Sequence, residues 1–154
     1  MPVGRARPRA RQRRSIVGNL AWDHSLETGD SAVDAEHRKI FFLIGELQNA
    51  EANAHSREFV DAAIEDITDY AHEHFAHEES LMQRSGYPDY EHHARLHRGF
   101  AEEAERLAFE LQAGAVISEA GLAVFMSRWL SEHIDAEDRR LVEFIRARTA
   151  EEPT

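Results

Sequence analysis

The stretch from Tyr70 to Met82, YAHEHFAHEESLM, decides the fold of this chain. It places His74 and Glu78 four residues apart, and residues at that spacing share one face of an α-helix. Two ionisable groups on a core-facing stripe need a partner, because each costs about 1–3 kcal/mol if left without one. The pair therefore predicts half of a metal site. The same stripe carries apolar residues at steps of three or four: Phe59, Ala63, Ile67, Tyr70 and Leu81.

The composition limits the kinds of site that the chain can build. A length of 154 residues with 42% hydrophobic content fits one domain with an internal core. Cysteine is absent, so any metal must be held by nitrogen and oxygen ligands. Ten histidines, five of them between His72 and His93, indicate ligand chemistry. Without a long apolar run or an apolar secretory segment, we expect a cytoplasmic protein with no membrane partner.

The charge is distributed unevenly along the chain. Six of the 18 basic residues are arginines among the first fourteen residues, and no acidic residue precedes Asp23. Residues 1–18 are predicted to be a disordered extension, because they contain almost nothing apolar to bury. A solvated extension, electrostatic docking and targeting all remain open as its role. The rest of the chain has 12 basic against 29 acidic residues, and we expect it to repel nucleic acid.

The first two predicted helices each bring a histidine to the core. The first helix runs to about Asn53 and carries His37 on its apolar face. The second helix carries the opening motif and ends near Arg84, because Gly86 suits a left-handed position and Pro88 cannot continue a helix. The first helix has three candidate N-terminal caps: Asp30, Ser31 and Asp34.

The third predicted helix repeats the four-residue ligand spacing. It extends from about Asp89 to Gln112 and places His93 and His97 on one line with apolar residues. His92 is the alternative to His93 as the ligand candidate that pairs with His97, but it would lie about 140° from His97 on a regular helix. The sequence therefore favours the pair His93 and His97.

The fourth predicted helix leads to His133, and Asp138 follows five residues later. Those two positions do not share a face on a straight helix, so a kink, a π-bulge or a helix end must separate them if both reach one centre. Residues Arg139 to Arg148 are predicted to form a short C-terminal helix. Together the pattern predicts an all-α protein: an up-down-up-down four-helix bundle with an internal metal site and an irregular N-terminal arm.

Four segments resemble the bacterial members of the hemerythrin family in their order and spacing: VDAEHR, HFAHEESLM, GYPDYEHHARLH and WLSEHIDAED. The resemblance extends from Trp22 to about Phe144 and implies a hemerythrin-like four-helix domain over residues 19–150. It also implies two non-haem iron ions joined by a solvent-derived oxo or hydroxo bridge. The seven implied metal ligands are His37, His74, Glu78, His93, His97, His133 and Asp138.

By similarity to the family, the two iron ions would be held unequally. One would have three histidines and the other only His37 and His74, while Glu78 and Asp138 bridge the pair. The open position on the second iron is where dioxygen would bind, and Trp129 and Leu130 would line its pocket. Independently of the family, imidazole and carboxylate without thiolate suit iron, manganese or zinc. Bridging carboxylates suit metals about 3.5–4 Å apart.

The function that the resemblance implies is reversible dioxygen binding, as a carrier, store or sensor. The alternative is a di-iron enzyme that acts on peroxide, nitric oxide or ferrous iron. The sequence favours binding over catalysis because no extra acid or base is evident beside the open iron. We expect a monomer and leave open a separate protein partner. Five histidines remain: His24, His55 and His72 are expected in solvent, while His77 and His92 at most contact the ligands from outside.

Overall fold

A computed structural model of the chain describes residues 22–114 and 117–151, and the predicted extension, residues 1–18, lies outside them. Across these described ranges the regular elements are helical and no β-strand occurs. In chain order they are a 3-10 turn His24–Leu26, α1 Ser31–Ala52, α2 Arg57–Ser85, α3 Tyr90–Gln112, α4 Glu119–His133, a π-helical turn Ile134–Asp138 and α5 Arg139–Glu151.

The four long helices form the predicted bundle. Helix α1 packs against α2 and α4, and α3 packs against the same two helices, which closes the ring. Short connections make successive helices antiparallel, so the up-down-up-down prediction is confirmed. The main core draws buried residues from all four helices, among them Ile44, Ile67, Phe100 and Leu122. None of the helices in the described ranges has an apolar stretch long enough to cross a membrane.

Asp30 is the N-terminal cap of α1, which settles the choice among the three candidates. Its carboxylate accepts hydrogen bonds from the backbone N–H groups of Ala32 and Val33 at 2.9 and 3.0 Å. Asp34 instead reaches back and accepts from the backbone N–H and the hydroxyl of Thr28, both at 2.8 Å. Asp30 therefore caps the helix, and Asp34 fixes the preceding turn.

Gly86 ends α2 in the left-handed conformation, with φ 65° and ψ 39°. The backbone N–H of Tyr87 donates to the carbonyl of Met82 at 2.9 Å, as in the common glycine-terminated helix end. Tyr87 and Met82 then pack with Leu141 of α5 in a small second core. The predicted C-terminal helix thus covers the end of α2, and Arg148 donates a hydrogen bond to the Ser85 carbonyl.

The π-helical turn joins α4 to α5 without interrupting the helical path. His133, Ile134 and Arg139 all keep right-handed helical dihedral angles. The wider turn lets two residues five apart face the same side, so His133 and Asp138 are both buried. Of the three geometries that the sequence allowed here, the chain uses the π-bulge.

Gly86 and Gly99 offer two glycine-to-alanine substitutions with opposite expected effects. At Gly86 a Cβ atom would require positive φ and would lie 3.3 Å from Arg148 Nη1, so alanine should lower the free energy of unfolding by about 1–2 kcal/mol. Gly99 is an exposed residue in the middle of α3, with nothing within 4 Å of an added Cβ. Alanine there should raise the free energy of unfolding by about 0.5–1 kcal/mol. Urea unfolding of both variants measures the difference; changes of the same sign would contradict the account.

Candidate metal centre

Seven polar side chains meet inside the bundle, and each of them is at most 5% exposed. Every helix of the bundle contributes at least one, and the π-helical turn contributes the last. The sequence-predicted ligand candidates are therefore all brought together: His37 from α1, His74 and Glu78 from α2, His93 and His97 from α3, His133 from α4 and Asp138 from the π-helical turn.

The seven side chains fall into two overlapping groups, and within each group the potential ligand atoms lie within 4.8 Å of one another. The three-histidine group contains His93, His97 and His133 with both carboxylates. The two-histidine group contains His37 and His74 with the same carboxylates. Glu78 and Asp138 belong to both groups, so they lie between two places that could each hold a cation.

The imidazole rings point their Nε2 atoms at one another. In the three-histidine group, the Nε2 atom of His133 lies 3.0 Å from that of His97 and 2.9 Å from that of His93. In the other group the Nε2 atoms of His37 and His74 are 3.1 Å apart. Two nitrogens this close can share at most one hydrogen, so each point of convergence presents at least one lone pair. A cation at each point of convergence would satisfy them.

The two carboxylates are the least satisfied groups in the described part of the chain. Glu78 and Asp138 are both 0% exposed, and none of their four oxygens has a hydrogen bond with good geometry. The oxygens do lie 3.1–3.8 Å from the histidine Nε2 atoms. Buried charges without partners are strongly unfavourable, so these oxygens need positive charge between them. The donor set of nitrogen and oxygen fits one or more cations of the iron, manganese or zinc type.

The pKa shifts in the metal-free cluster also indicate that its two carboxylates attract positive charge. Burial opposes ionisation of Glu78, as does the charge of Asp138, yet the surrounding histidines lower the pKa of Glu78 to about 2. Burial also disfavours a charged His93, but the carboxylates of Asp138 and Glu78 raise its pKa to about 9. Without a cation, the cluster thus holds a proton on His93 in its place.

Two carboxylates outside the cluster contact ligand candidates from behind, and sequence reasoning missed both. Glu36 accepts a hydrogen bond from His74 Nδ1 at 2.8 Å, and Glu79 accepts one from His97 Nδ1 at 3.2 Å. Neither acid lies on an apolar stripe, so helical periodicity gives no signal for them. Their only signal is that each is adjacent in sequence to a ligand candidate.

Aromatic rings cover several of the histidines. Trp129 stacks on His133 with ring centroids 4.4 Å apart, which places it beside the three-histidine group. Phe75 stacks on His97 at 4.0 Å, a contact that the sequence did not indicate. Leu130 is buried in the main core, one helical turn before His133.

The remaining histidines lie outside the cluster. Three of them are exposed: His24, His55 and His72. His92 is also exposed, and its Nε2 atom lies 3.6 Å from a carboxylate oxygen of Glu137. His77 lies beside Glu36, with its Nδ1 atom 2.8 Å from a carboxylate oxygen.

Comparison with known proteins points to one family. The family model described as the hemerythrin HHE cation binding domain matches residues 28–145. A bacteriohemerythrin of Stenotrophomonas maltophilia is 34% identical over 128 residues, which cover 83% of this chain and 82% of that protein. One from Pseudomonas aeruginosa is 31% identical over 130 residues, or 84% of each chain.

A crystal structure of wild-type hemerythrin aligns with this fold at a TM-score of 0.73. The two sequences are 25% identical in that alignment, which covers 81% of this chain and 96% of the other. The similarity thus extends over most of the chain and is not confined to the residues of the cluster. Taken with the match of the family model, it shows that this chain belongs to the hemerythrin family.

Proposed function

We propose that this chain binds dioxygen reversibly at a pair of non-haem iron ions, as a carrier, store or sensor. Membership in the hemerythrin family supports, in general terms, a non-haem iron protein that binds oxygen. The observation that carries the finer proposal is the division of the cluster into two groups that share Glu78 and Asp138. One shared pair of carboxylates between two sets of imidazoles supports two ions rather than one.

The two groups would hold their ions unequally. Three imidazoles and two carboxylates would offer five ligand atoms to one ion, whereas His37 and His74 with the same carboxylates would offer only four to the other. The two-histidine group would then leave room for a small ligand on its ion. Iron held by these residues would supply the redox chemistry that reversible dioxygen binding needs.

The surroundings of the cluster favour binding over turnover. Among the described buried residues, the only acidic side chains outside the cluster are Asp34 and Glu137. Asp34 is engaged by Thr28, and Glu137 lies toward the surface beside His92 and Arg140. Among the described residues, no further buried acid is therefore available to donate a proton at the cluster.

The direct test is an oxygenation cycle on the iron-loaded protein. Anaerobic ferrous protein is exposed to oxygen and then degassed, while absorbance is recorded. We expect the oxygenated spectrum to form and the ferrous spectrum to return over several cycles, with slow autoxidation. Sustained destruction of hydrogen peroxide, with no return of the ferrous spectrum, would replace the binding function with that of a di-iron enzyme.

Leu130 is proposed as part of the apolar wall that keeps water from the open position, whereas Trp129 stacks on His133 of the three-histidine group. Leu130→Ala should therefore accelerate autoxidation of the oxygenated protein. Leu122→Ala is the matched control, because Leu122 is buried in the same core two turns earlier on α4. Both variants should lose about 2–5 kcal/mol of stability, but only the first should autoxidise faster. Equal autoxidation rates in the two variants would remove Leu130 from the wall.

The raised pKa of His93 predicts a pH dependence of the metal-free protein. A proton on His93 stabilises the folded state fully below the unfolded pKa of about 6.5, and this contribution is lost as pH rises through about 9. The free energy of unfolding should thus fall between those pH values, while metal affinity should rise because a ligand imidazole must be neutral.

Urea unfolding of the metal-free protein across this pH range measures the effect. His93→Gln is the informative variant, because it removes the titrating ring at similar size. It should flatten the pH profile between pH 6.5 and 9. A variant profile as steep as that of the wild type would show that another group carries the dependence.

A further inference from the structure

Glu36 connects the metal cluster to the protein surface through two histidines. His74 Nδ1 donates a hydrogen bond to its Oε2 atom at 2.8 Å, and His77 Nδ1 lies 2.8 Å from its Oε1 atom. The side chain of His74 is fully buried, whereas those of Glu36 and His77 are 24% and 34% exposed. The carboxylate therefore bridges a buried ligand candidate and a ring that reaches solvent.

The geometry of two adjacent helices explains this arrangement. His74 and His77 are three residues apart on α2, so their side chains leave the helix on the same side. Helix α1 packs against α2, and Glu36 of α1 meets both rings. A single acid can hold both because each of its oxygens has an imidazole N–H within reach.

The contact determines which nitrogen of His74 carries the hydrogen. A carboxylate only accepts, so Nδ1 of His74 must be the donor. In the neutral ring the lone pair is then on Nε2, the atom that faces His37 Nε2 at 3.1 Å. This is the tautomer that a cation in the two-histidine group requires.

Among the described residues, no other side chain supports the two-histidine group in this way. The Nδ1 atom of His37 is buried and has no hydrogen-bond partner among the residues described. Glu36 is therefore the one acid in the described ranges that orients a ring of that group. In the three-histidine group, Glu79 has the corresponding contact with His97 at 3.2 Å, a longer distance.

We propose that Glu36 is the positioning residue of the two-histidine group. It fixes His74 in the tautomer that presents Nε2 to a cation, and His77 keeps the Glu36 carboxylate in place. The proposal rests on the metal-binding function proposed above. Acceptors behind ligand imidazoles orient the ring and raise its basicity, and their loss typically weakens metal binding by about 10–100-fold.

Titration of the metal-free protein with Co²⁺ tests the effect on binding. Wild type should take up two ions per chain, and Glu36→Ala should weaken one of the two binding steps by about 10–100-fold and leave the other unchanged. Glu73→Ala is the control, because it removes the same charge at an exposed position next to His74. His77→Ala should weaken the same step as Glu36→Ala, by a smaller factor.

The tautomer of His74 is a second readout that needs no metal. In ¹⁵N-labelled metal-free protein, at a pH where His74 is neutral, long-range ¹H–¹⁵N correlations distinguish the two ring nitrogens. Wild type should have the hydrogen on Nδ1, and Glu36→Ala should show a mixture of tautomers. Glu36→Gln keeps an acceptor of the same size and should restore the wild-type tautomer and most of the Co²⁺ affinity.

The outcomes separate this proposal from the function on which it rests. An unchanged His74 tautomer in Glu36→Ala, or wild-type affinity at both Co²⁺ steps, would overturn the role of Glu36. A wild type that binds fewer than two Co²⁺ ions would instead count against the paired site. In that case the tautomer measurement still decides whether Glu36 orients His74.

Discussion

Two buried carboxylates, Glu78 and Asp138, that have no hydrogen bond of good geometry among the described residues are the constraint on which this structure depends. They come from different helical segments and occupy the centre of the bundle, where an uncompensated charge would be strongly unfavourable. The surrounding imidazoles come from all four bundle helices. A cation at this centre would therefore contact residues from every helix of the bundle. Cation binding should couple directly to the stability of the fold.

The π-helical turn and two carboxylates outside the cluster, Glu36 and Glu79, position the side chains of that centre. Widening the helix over Ile134–Asp138 brings His133 and Asp138 onto one side, which a regular helix would not do. Glu36 and Glu79 then hold one histidine in each group from behind. The cluster is thus shaped by a local change in helix geometry and by contacts between neighbouring helices, as well as by the ligand candidates themselves.

Most of the fold and the central cluster could be predicted from the sequence because they depend on helical periodicity. The spacing of His74 and Glu78 on an apolar stripe is a local property, and so is the five-residue step from His133 to Asp138. The third helix, predicted from about Asp89 to Gln112, extends from Tyr90 to Gln112.

The features that the sequence did not reveal depend on how helices pack against one another. Glu36 lies off the apolar stripe of α1, and only its alignment with α2 brings it to His74. From the sequence Glu79 resembles a solvated neighbour of Glu78, yet it contacts His97 on α3. Phe75 follows a ligand candidate directly, and its stacking on His97 likewise depends on the contact between α2 and α3.

The count of iron ions per chain tests the central claim of a paired site most directly. Elemental analysis of aerobically purified protein should give two irons per chain in the wild type and in Asp135→Asn, whose side chain is exposed on the same π-helical turn. Asp138→Asn removes a shared carboxylate charge and should retain fewer than two. One iron per chain in the wild type, a single zinc, or two irons in Asp138→Asn would contradict the account.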